Sequence, residues 1–288
     1  MTGRPYIGRF APSPTGRLHL GSMVAALASW LDAKAHGGQW LVRMEDLDPP
    51  REVEGAADDI LRTLERFGLT WDGSVVYQSE RHGRYREALD GLLARDEAFG
   101  CACTRKSLAQ INGLGVYPGV CRDGLSPGQV PRAWRFRMPK GPSLSWDDRI
   151  QGRQSFDRRD VGDVTLLRAD GHWAYHLAVV VDDAAQDVSH VVRGADLVES
   201  TAAHLAIQDV LGLKRPRYAH VDVVLNDQGQ KLSKQTLASP VRTERASEVL
   251  SECLTHLGLD GIGTDRPSLM LEKATEAWTQ VHLSRSGS

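Results

Sequence analysis

An α/β fold is predicted for this sequence: a doubly wound, Rossmann-type parallel sheet, split by an insertion and followed by a short helical element. Three observations predict it. An apolar strand runs through a Pro/Gly loop directly into a helix near the N-terminus. Strand and helix patterns then alternate up to about residue 94. Between about 99 and 171 that rhythm breaks into cysteines, glycines, prolines and short β-like pieces, after which it resumes.

Residues 6–10 (Tyr-Ile-Gly-Arg-Phe) form the first short strand, and 11–17, with two prolines and a glycine, must be a loop. Over 20–34, Leu20, Val24, Leu27 and Leu31 recur at helical spacing, and Gly37-Gly38 supplies the stop. Residues 40–44 are a second buried strand. Ile60, Leu61, Leu64 and Phe67 define one face of a helix over 58–67, and Leu89, Leu92 and Leu93 one over 85–94. In the insertion, 134–138 is β-like. The α/β rhythm returns with the segments 173–181 and 190–193, a helix over 200–211 and a strand region over 218–225. After Pro240, a helix carries Val249, Leu250, Cys253, Leu254 and Leu257, and the tail beyond Arg266 ends in polar residues. The expected division is therefore 1–97 with 171–238 as the split catalytic domain, 98–170 as an inserted subdomain and 239–288 as a C-terminal helical element.

Composition narrows the classes without choosing one. The chain is 41% apolar and 25% charged, ordinary for a globular protein. Its apolar runs, such as 177–181, fall far short of the roughly 20 residues that cross a bilayer, and the N-terminus has no apolar core of a signal peptide. A cytoplasmic protein is expected. The net charge of −2 neither demands nor excludes nucleic acid, which needs only a local basic face.

Two segments carry chemistry. The strand–loop–helix from Phe10 to Ser22 puts His19 at the bend before a helix N-terminus, where free N–H groups and the positive dipole end favour phosphates. Gly21 lets a flat nucleotide approach the backbone. Far downstream, Lys231-Leu232-Ser233-Lys234-Gln235 sets two ammonium groups on a loop, as a departing pyrophosphate would require.

Together these segments resemble the two signature motifs of class I aminoacyl-tRNA synthetases. Ala11-Pro12-Ser13-Pro14-Thr15-Gly16 with Glu45-Asp46-Leu47-Asp48 is similar to the glutamyl and glutaminyl branch in particular. The resemblance spans about residues 6 to 240. It departs from the commonest form at Ser22, where a second histidine is usual, and at Gln235, in place of a serine. It implies activation of L-glutamate by ATP with Mg²⁺, with His19, Lys231 and Lys234 as catalytic residues and His19, Gly21, Ser22 and Lys234 holding ATP. It assigns the amino acid to Arg9, Phe10, Ala11, Pro12, Ser13, Glu45, Tyr175 and Arg193. A guanidinium grips a carboxylate with two parallel hydrogen bonds and matches a glutamine amide poorly, which favours glutamate.

Cys101, Cys103 and Cys121 fall within about twenty residues of a glycine-rich segment with little core of its own, the pattern of a structural Zn²⁺ knuckle. Tyr117 is a candidate fourth ligand; on the residues alone, water or Asp123 would serve. The Cys-x-Cys then Tyr-x-x-x-Cys spacing resembles that of short glutamyl-synthetase paralogues, which transfer glutamate to queuosine in the anticodon of tRNA(Asp). The 53 residues after Gln235 are too few for a separate anticodon-binding domain, in line with that resemblance. A monomer is expected. Two basic clusters, Arg132, Arg135, Arg137 and Lys140, and Arg149, Arg153, Arg158 and Arg159, are candidates for contacting RNA phosphates. Three rivals stay open: a truncated glutamyl-tRNA synthetase charging the 3′ end, an adenylate-forming enzyme without RNA, and a non-catalytic RNA-binding relative.

Overall fold

The two N-terminal apolar runs pair side by side. In the computed structural model, which describes residues 5–112, 115–226, 228–230, 232 and 239–283, β1 (Ile7–Phe10) is parallel to β2 (Gln39–Met44), and β2 to the short β3 (Val76–Tyr77). On the other side of β1 lies β9 (His190–Gly194), parallel to β10 (Arg217–Val221). The two parts meet where the Ser189 N–H donates to the Ile7 carbonyl at 2.9 Å and the Ile7 N–H to Ser189 Oγ at 2.8 Å. The resulting order, β3-β2-β1-β9-β10, has the chain leaving β1 and β9 toward opposite edges. That divergence is the switch point at which α/β sheets open a crevice beyond the strands' carboxyl ends.

Each face carries its own core. On one, α1 (Leu20–Ala35), α2 (Ala56–Arg66), α8 (Ala246–His256) and α9 (Pro267–Trp278) cover Phe10, Trp40, Val42, Val192 and Ala219. On the other, α3 (His82–Ala94), α6 (Tyr175–Ala185) and α7 (Val198–Leu211) cover Val191 and Tyr218. The period-2 alternation of the strands divides the side chains between these cores. Helix α9 is a second helix within the 239–288 segment, in the stretch beyond Arg266 where the sequence reading names no apolar stripe. Pro267 starts it, and Met270, Leu271, Ala274 and Trp278 form its buried stripe. Among the described residues no helix is long and apolar enough to cross a membrane.

Between α3 and α6 the chain forms an antiparallel sheet of β4 (Ala98–Cys101), β5 (Ala133–Phe136) and β8 (Thr165–Leu167), a hairpin of β6 (Leu144–Asp148) and β7 (Gly152–Phe156), and the short helices α4 (Arg105–Asn112) and α5 (Arg158–Val161). The hairpin is fastened to the parallel sheet: the Arg149 N–H donates to the Tyr218 carbonyl at 3.0 Å. Arg149 also clamps Asp32 of α1 through two bonds of 2.6 and 2.8 Å. Asp32 further accepts from Tyr6 and, at 2.9 Å, from Trp278 Nε1. The Tyr6 ring packs against both His36 and His190 at centroid distances of 4.5 and 4.1 Å, and the two imidazoles are themselves 5.6 Å apart. A buried carboxylate thus joins the first helix, the insertion and the C-terminal helix.

Candidate active site

A cavity of about 850 Å³ opens at the carboxyl ends of β1 and β9. Arg9, Phe10, Ala11, Pro12, Ser13, His19, Gly21, Ser22, Glu45, Tyr175 and Arg193 all line it, so every sequence-predicted glutamate or ATP residue among the described residues reaches one space. Lys231 and Lys234 lie outside the described residues. Leu232, between them in sequence, lines the same cavity, and its carbonyl oxygen would be 3.4 Å from a Cβ at Gly21.

His19 is the N-cap of α1. Its Nδ1 accepts from the Ser22 N–H at 3.3 Å, while Ser22 Oγ accepts from the His19 N–H at 2.8 Å. This is a capping box with an imidazole in the usual hydroxyl role. A small hydroxyl side chain at position 22 closes it, which gives Ser22 a structural task where a second histidine is commoner. The loop before it is pinned by the Glu45 N–H donating to the Pro12 carbonyl at 2.9 Å.

The far wall is a buried ionic network that the sequence reading did not anticipate. Arg9 donates to both oxygens of Asp183 on α6, at 3.1 and 3.4 Å. Arg43 reaches Asp183 and Gln186 at 2.8 Å each and Glu45 at 3.2 Å. Arg9, Arg43 and Asp183 are all buried, and such charges persist in an interior only when paired and hydrogen-bonded. Burial pushes the Asp183 carboxyl upward, but Arg9 and Arg43 together hold it below the usual range. For Glu45 burial wins over Arg43 and Arg9, and its carboxyl sits above the usual range. Arg9 therefore does not stand free to grip a ligand with its whole fork, as the sequence implied; part of it is already held by Asp183.

Arg193 is held on four sides: Tyr175 OH at 2.9 Å, Thr201 Oγ1 at 2.7 Å, the Leu197 carbonyl at 3.1 Å and His220 Nε2 at 3.0 Å. His220 lies opposite Arg193 in the β9–β10 register and is itself held by Asp148 of the insertion at 2.5 Å. Beneath Tyr175, the His176 and His204 rings meet at 3.3 Å between nitrogens. Burial, and then the nearby Arg193, push His176 down to about 4 and His204 well below its ordinary value. Both are neutral at pH 7. Arg43, Asp148, Asp183 and His220 were missed by sequence reasoning, although Arg43 interrupts an apolar strand and Asp183 follows the run of valines in 179–181. A charge inside a buried pattern is the available signal.

The cysteines form a second centre. The Sγ atoms of Cys101, Cys103 and Cys121 lie within 4.8 Å of one another. The Tyr117 OH is 3.5 Å from Cys101 Sγ and 3.8 Å from Cys103 Sγ, and Cys103 and Cys121 Sγ are 3.6 Å apart. Tetrahedral Zn²⁺ bonds of about 2.3 Å to sulfur and 2.0 Å to oxygen would separate ligand atoms by about 3.5–3.8 Å. The donor set fits. Cys253 is buried in the core. Of the basic clusters, Arg135 stacks over Tyr117 at 3.9 Å, Arg137 pairs with Asp96 at 2.9 Å, and Arg149 is held by Asp32. Arg153 pairs with Asp147 at 3.0 Å, Arg159 with Asp157 at 2.8 Å, and Arg158 donates to the Pro142 carbonyl at 2.8 Å. Arg132 and Lys140 are exposed.

The family described as tRNA synthetases class I (E and Q), catalytic domain, matches residues 7–116 and 122–270. The chain belongs to that family. It is thus a class I synthetase-type ligase with a Rossmann-like α/β core. The break in the match, 117–121, spans Tyr117 and Cys121. The glutamyl-Q tRNA(Asp) synthetase of Chromobacterium violaceum is 56% identical over 263 residues, 90% of this chain and 88% of that protein. The protein of the same name from Aromatoleum aromaticum is 51% identical over 279 residues, covering 95% and 87%. Among solved structures, a glutamate tRNA ligase from Elizabethkingia meningosepticum in complex with its amino acid superposes with a TM-score of 0.72 at 31% identity. That match covers 81% of this chain and 52% of the ligase, so the chain spans about half the length of the solved ligase.

Proposed function

We propose that the protein activates L-glutamate with Mg-ATP and transfers it to queuosine in the anticodon of tRNA(Asp). The convergence of Arg9, Glu45, Tyr175 and Arg193 with the His19 cap around one cavity carries this reading. Arg9 and Arg43 are both paired with Asp183, and Arg43 also with Glu45, whereas the partners of Arg193 are neutral groups, those of Tyr175, Thr201, Leu197 and His220. Free glutamate, with one ammonium and two carboxylates, brings the complementary negative charge. Glu45 takes the ammonium, which also favours its ionised form, and Arg9 and Arg193 take the carboxylates.

In the first step an α-carboxylate oxygen attacks the α-phosphorus in line, forming the acyl–phosphate bond as the bond to the β-phosphate oxygen breaks. Pyrophosphate leaves with the magnesium. Lys234, assisted by Lys231, stabilises the charge that develops there, and His19 with the α1 N-terminus, Gly21 and Ser22 steady the nucleotide. In the second step a queuosine hydroxyl attacks the carbonyl carbon, its proton passes to solvent and AMP departs. The names of the curated relatives, 56% and 51% identical to this chain, support this acceptor. Cys101, Cys103, Tyr117 and Cys121 would hold a Zn²⁺, which would supply structural cross-linking. A cytoplasmic monomer accompanies this reading.

Glutamate-dependent ATP–pyrophosphate exchange tests activation, and nuclease mapping of labelled tRNA tests transfer. Label in the anticodon fragment of queuosine-containing tRNA(Asp) is expected. Label on the terminal adenosine would replace this reading with 3′-end charging, no label on any tRNA with an RNA-free adenylate former, and no exchange with any amino acid with a non-catalytic relative.

A further inference from the structure

Arg193 is held by an acceptor that exists in only one tautomer of its neighbour. Its Nε–H points at His220 Nε2 at 3.0 Å, and the Thr201 hydroxyl lies 3.3 Å from the same nitrogen. An arginine can only donate. Nε2 must therefore carry a lone pair, and the ring proton must sit on Nδ1. There it meets Asp148 Oδ2 at 2.5 Å. The other carboxylate oxygen, Oδ1, accepts three backbone N–H bonds, from Ile150 at 3.1 Å, Gln151 at 3.0 Å and His220 at 3.0 Å. Asp148 is fixed in rotation, so Oδ2 is committed to the imidazole. Both side chains are buried, and the carboxyl is held below the usual range by these donors against the upward push of burial.

The charges facing His220 agree with a neutral ring. Asp148 on β6 favours its imidazolium, while burial first, then Arg193 on β9 and Arg9 on β1, oppose it, with a net lowering. The Tyr218 ring stacks beside it at 6.1 Å. A protonated ring would set an N–H against the Arg193 Nε–H, donor to donor.

We propose that Asp148 and His220 are positioning residues for amino-acid recognition: the inserted hairpin, through Asp148, fixes the Nδ1–H tautomer of His220, which aims the Arg193 guanidinium at the substrate. This rests on the reading of the cavity as a glutamate site. It assigns the insertion a part in selecting the small substrate as well as in shaping the fold.

Asp148→Asn is the discriminating change. Its amide oxygen keeps the three backbone bonds, while its NH₂ now faces Nδ1 and forces the proton to Nε2. The isosteric swap inverts one hydrogen bond and turns the Arg193 acceptor into a donor. In glutamate-dependent ATP–pyrophosphate exchange, D148N is expected to raise KM for glutamate roughly 10-fold or more, with KM for ATP within about twofold of the unaltered protein. A second pair separates the two ends of the ring. His220→Asn restores a donor near Nδ1 and leaves Arg193 without an acceptor, whereas His220→Gln places an amide oxygen near Nε2. H220Q is expected to recover most of the glutamate affinity that H220N loses.

An unchanged glutamate KM in D148N, equal rises for glutamate and ATP, or the reverse order of H220N and H220Q would each overturn the relay. The ¹⁵N shifts of the His220 ring report the tautomer without any activity: Nδ1–H in the unaltered protein and Nε2–H in D148N. An Nε2–H ring in the unaltered protein overturns the relay even if exchange is absent. Absence of glutamate-dependent exchange with the Nδ1–H ring intact would instead overturn the glutamate reading.

Discussion

Replacing Arg43 with methionine tests whether the ionic wall of the cavity is held by charge or by packing. Methionine fills most of the same volume and keeps an apolar stem, so the change removes chiefly the guanidinium. Arg43 is fully buried and bonds Asp183 and Gln186 at 2.8 Å and Glu45 at 3.2 Å. Breaking a buried pair on one side costs about 3–5 kcal/mol, because the partner charge is left uncompensated. At roughly 2–4 °C per kcal/mol for a chain of this size, the melting temperature should fall by about 6–20 °C near pH 7.5. Acidification separates the causes. Asp183, depressed in the folded protein, contributes stability that is present above its unfolded value near 4 and is lost as pH falls through its folded value. Glu45 is raised, so its ionised form detracts from stability at neutral pH, and that penalty is relieved as pH falls through its folded value. Without Arg43 both carboxyls move upward and can neutralise themselves by taking protons, so the deficit against the unaltered protein should shrink at pH 5. Calorimetry at the two pH values reads both quantities. A deficit equal at pH 5 and 7.5, or one equivalent to less than about 1 kcal/mol, would refute the electrostatic account.

Gly21→Ala should raise KM for ATP by roughly 10-fold, because the new methyl would stand 3.3 Å from the His19 ring and 3.4 Å from the Leu232 carbonyl, within the nucleotide space. The melting temperature should hold or rise, since alanine is about 1 kcal/mol better than glycine inside a helix, and an unchanged ATP KM would take Gly21 out of the nucleotide site. Lys234→Ala should slow glutamate-dependent exchange by roughly 10² or more without lowering the melting temperature; an unaltered rate removes it from the transition state. Elemental analysis should find about one zinc per chain, lost in Cys121→Ala together with thermal stability, and a metal-free protein of full stability would dismiss the knuckle.

The strand–loop–helix at the N-terminus was legible because local chemistry dictates it. Proline and glycine fix the 11–17 loop, apolar spacing fixes α1, and His19 falls at the only junction between them. The residues named through the family resemblance line one cavity because residues at strand ends gather at the switch point of a split sheet. The ionic wall was not legible. Asp183 lies 174 positions from Arg9 and 140 from Arg43, and nothing in either segment names its partner. Asp148 and His220, 72 positions apart, are joined only because the hairpin folds back on β10. Helix α9 was within reach, as Met270, Leu271, Ala274 and Trp278 have helical spacing, but the apolar stripe of 249–257 is the stronger signal in the expected C-terminal helical element.

Asp148 and Arg149 are chain neighbours with opposite duties. The first steadies the histidine behind Arg193, and the second neutralises the aspartate that ties Tyr6, α1 and Trp278 together. A chimaera that exchanged the β6–β7 hairpin for one from a distant ligase would therefore lose affinity for its amino acid and its grip on the last helix in a single cut. Any graft of this segment has to carry that dipeptide, in that order, across with it.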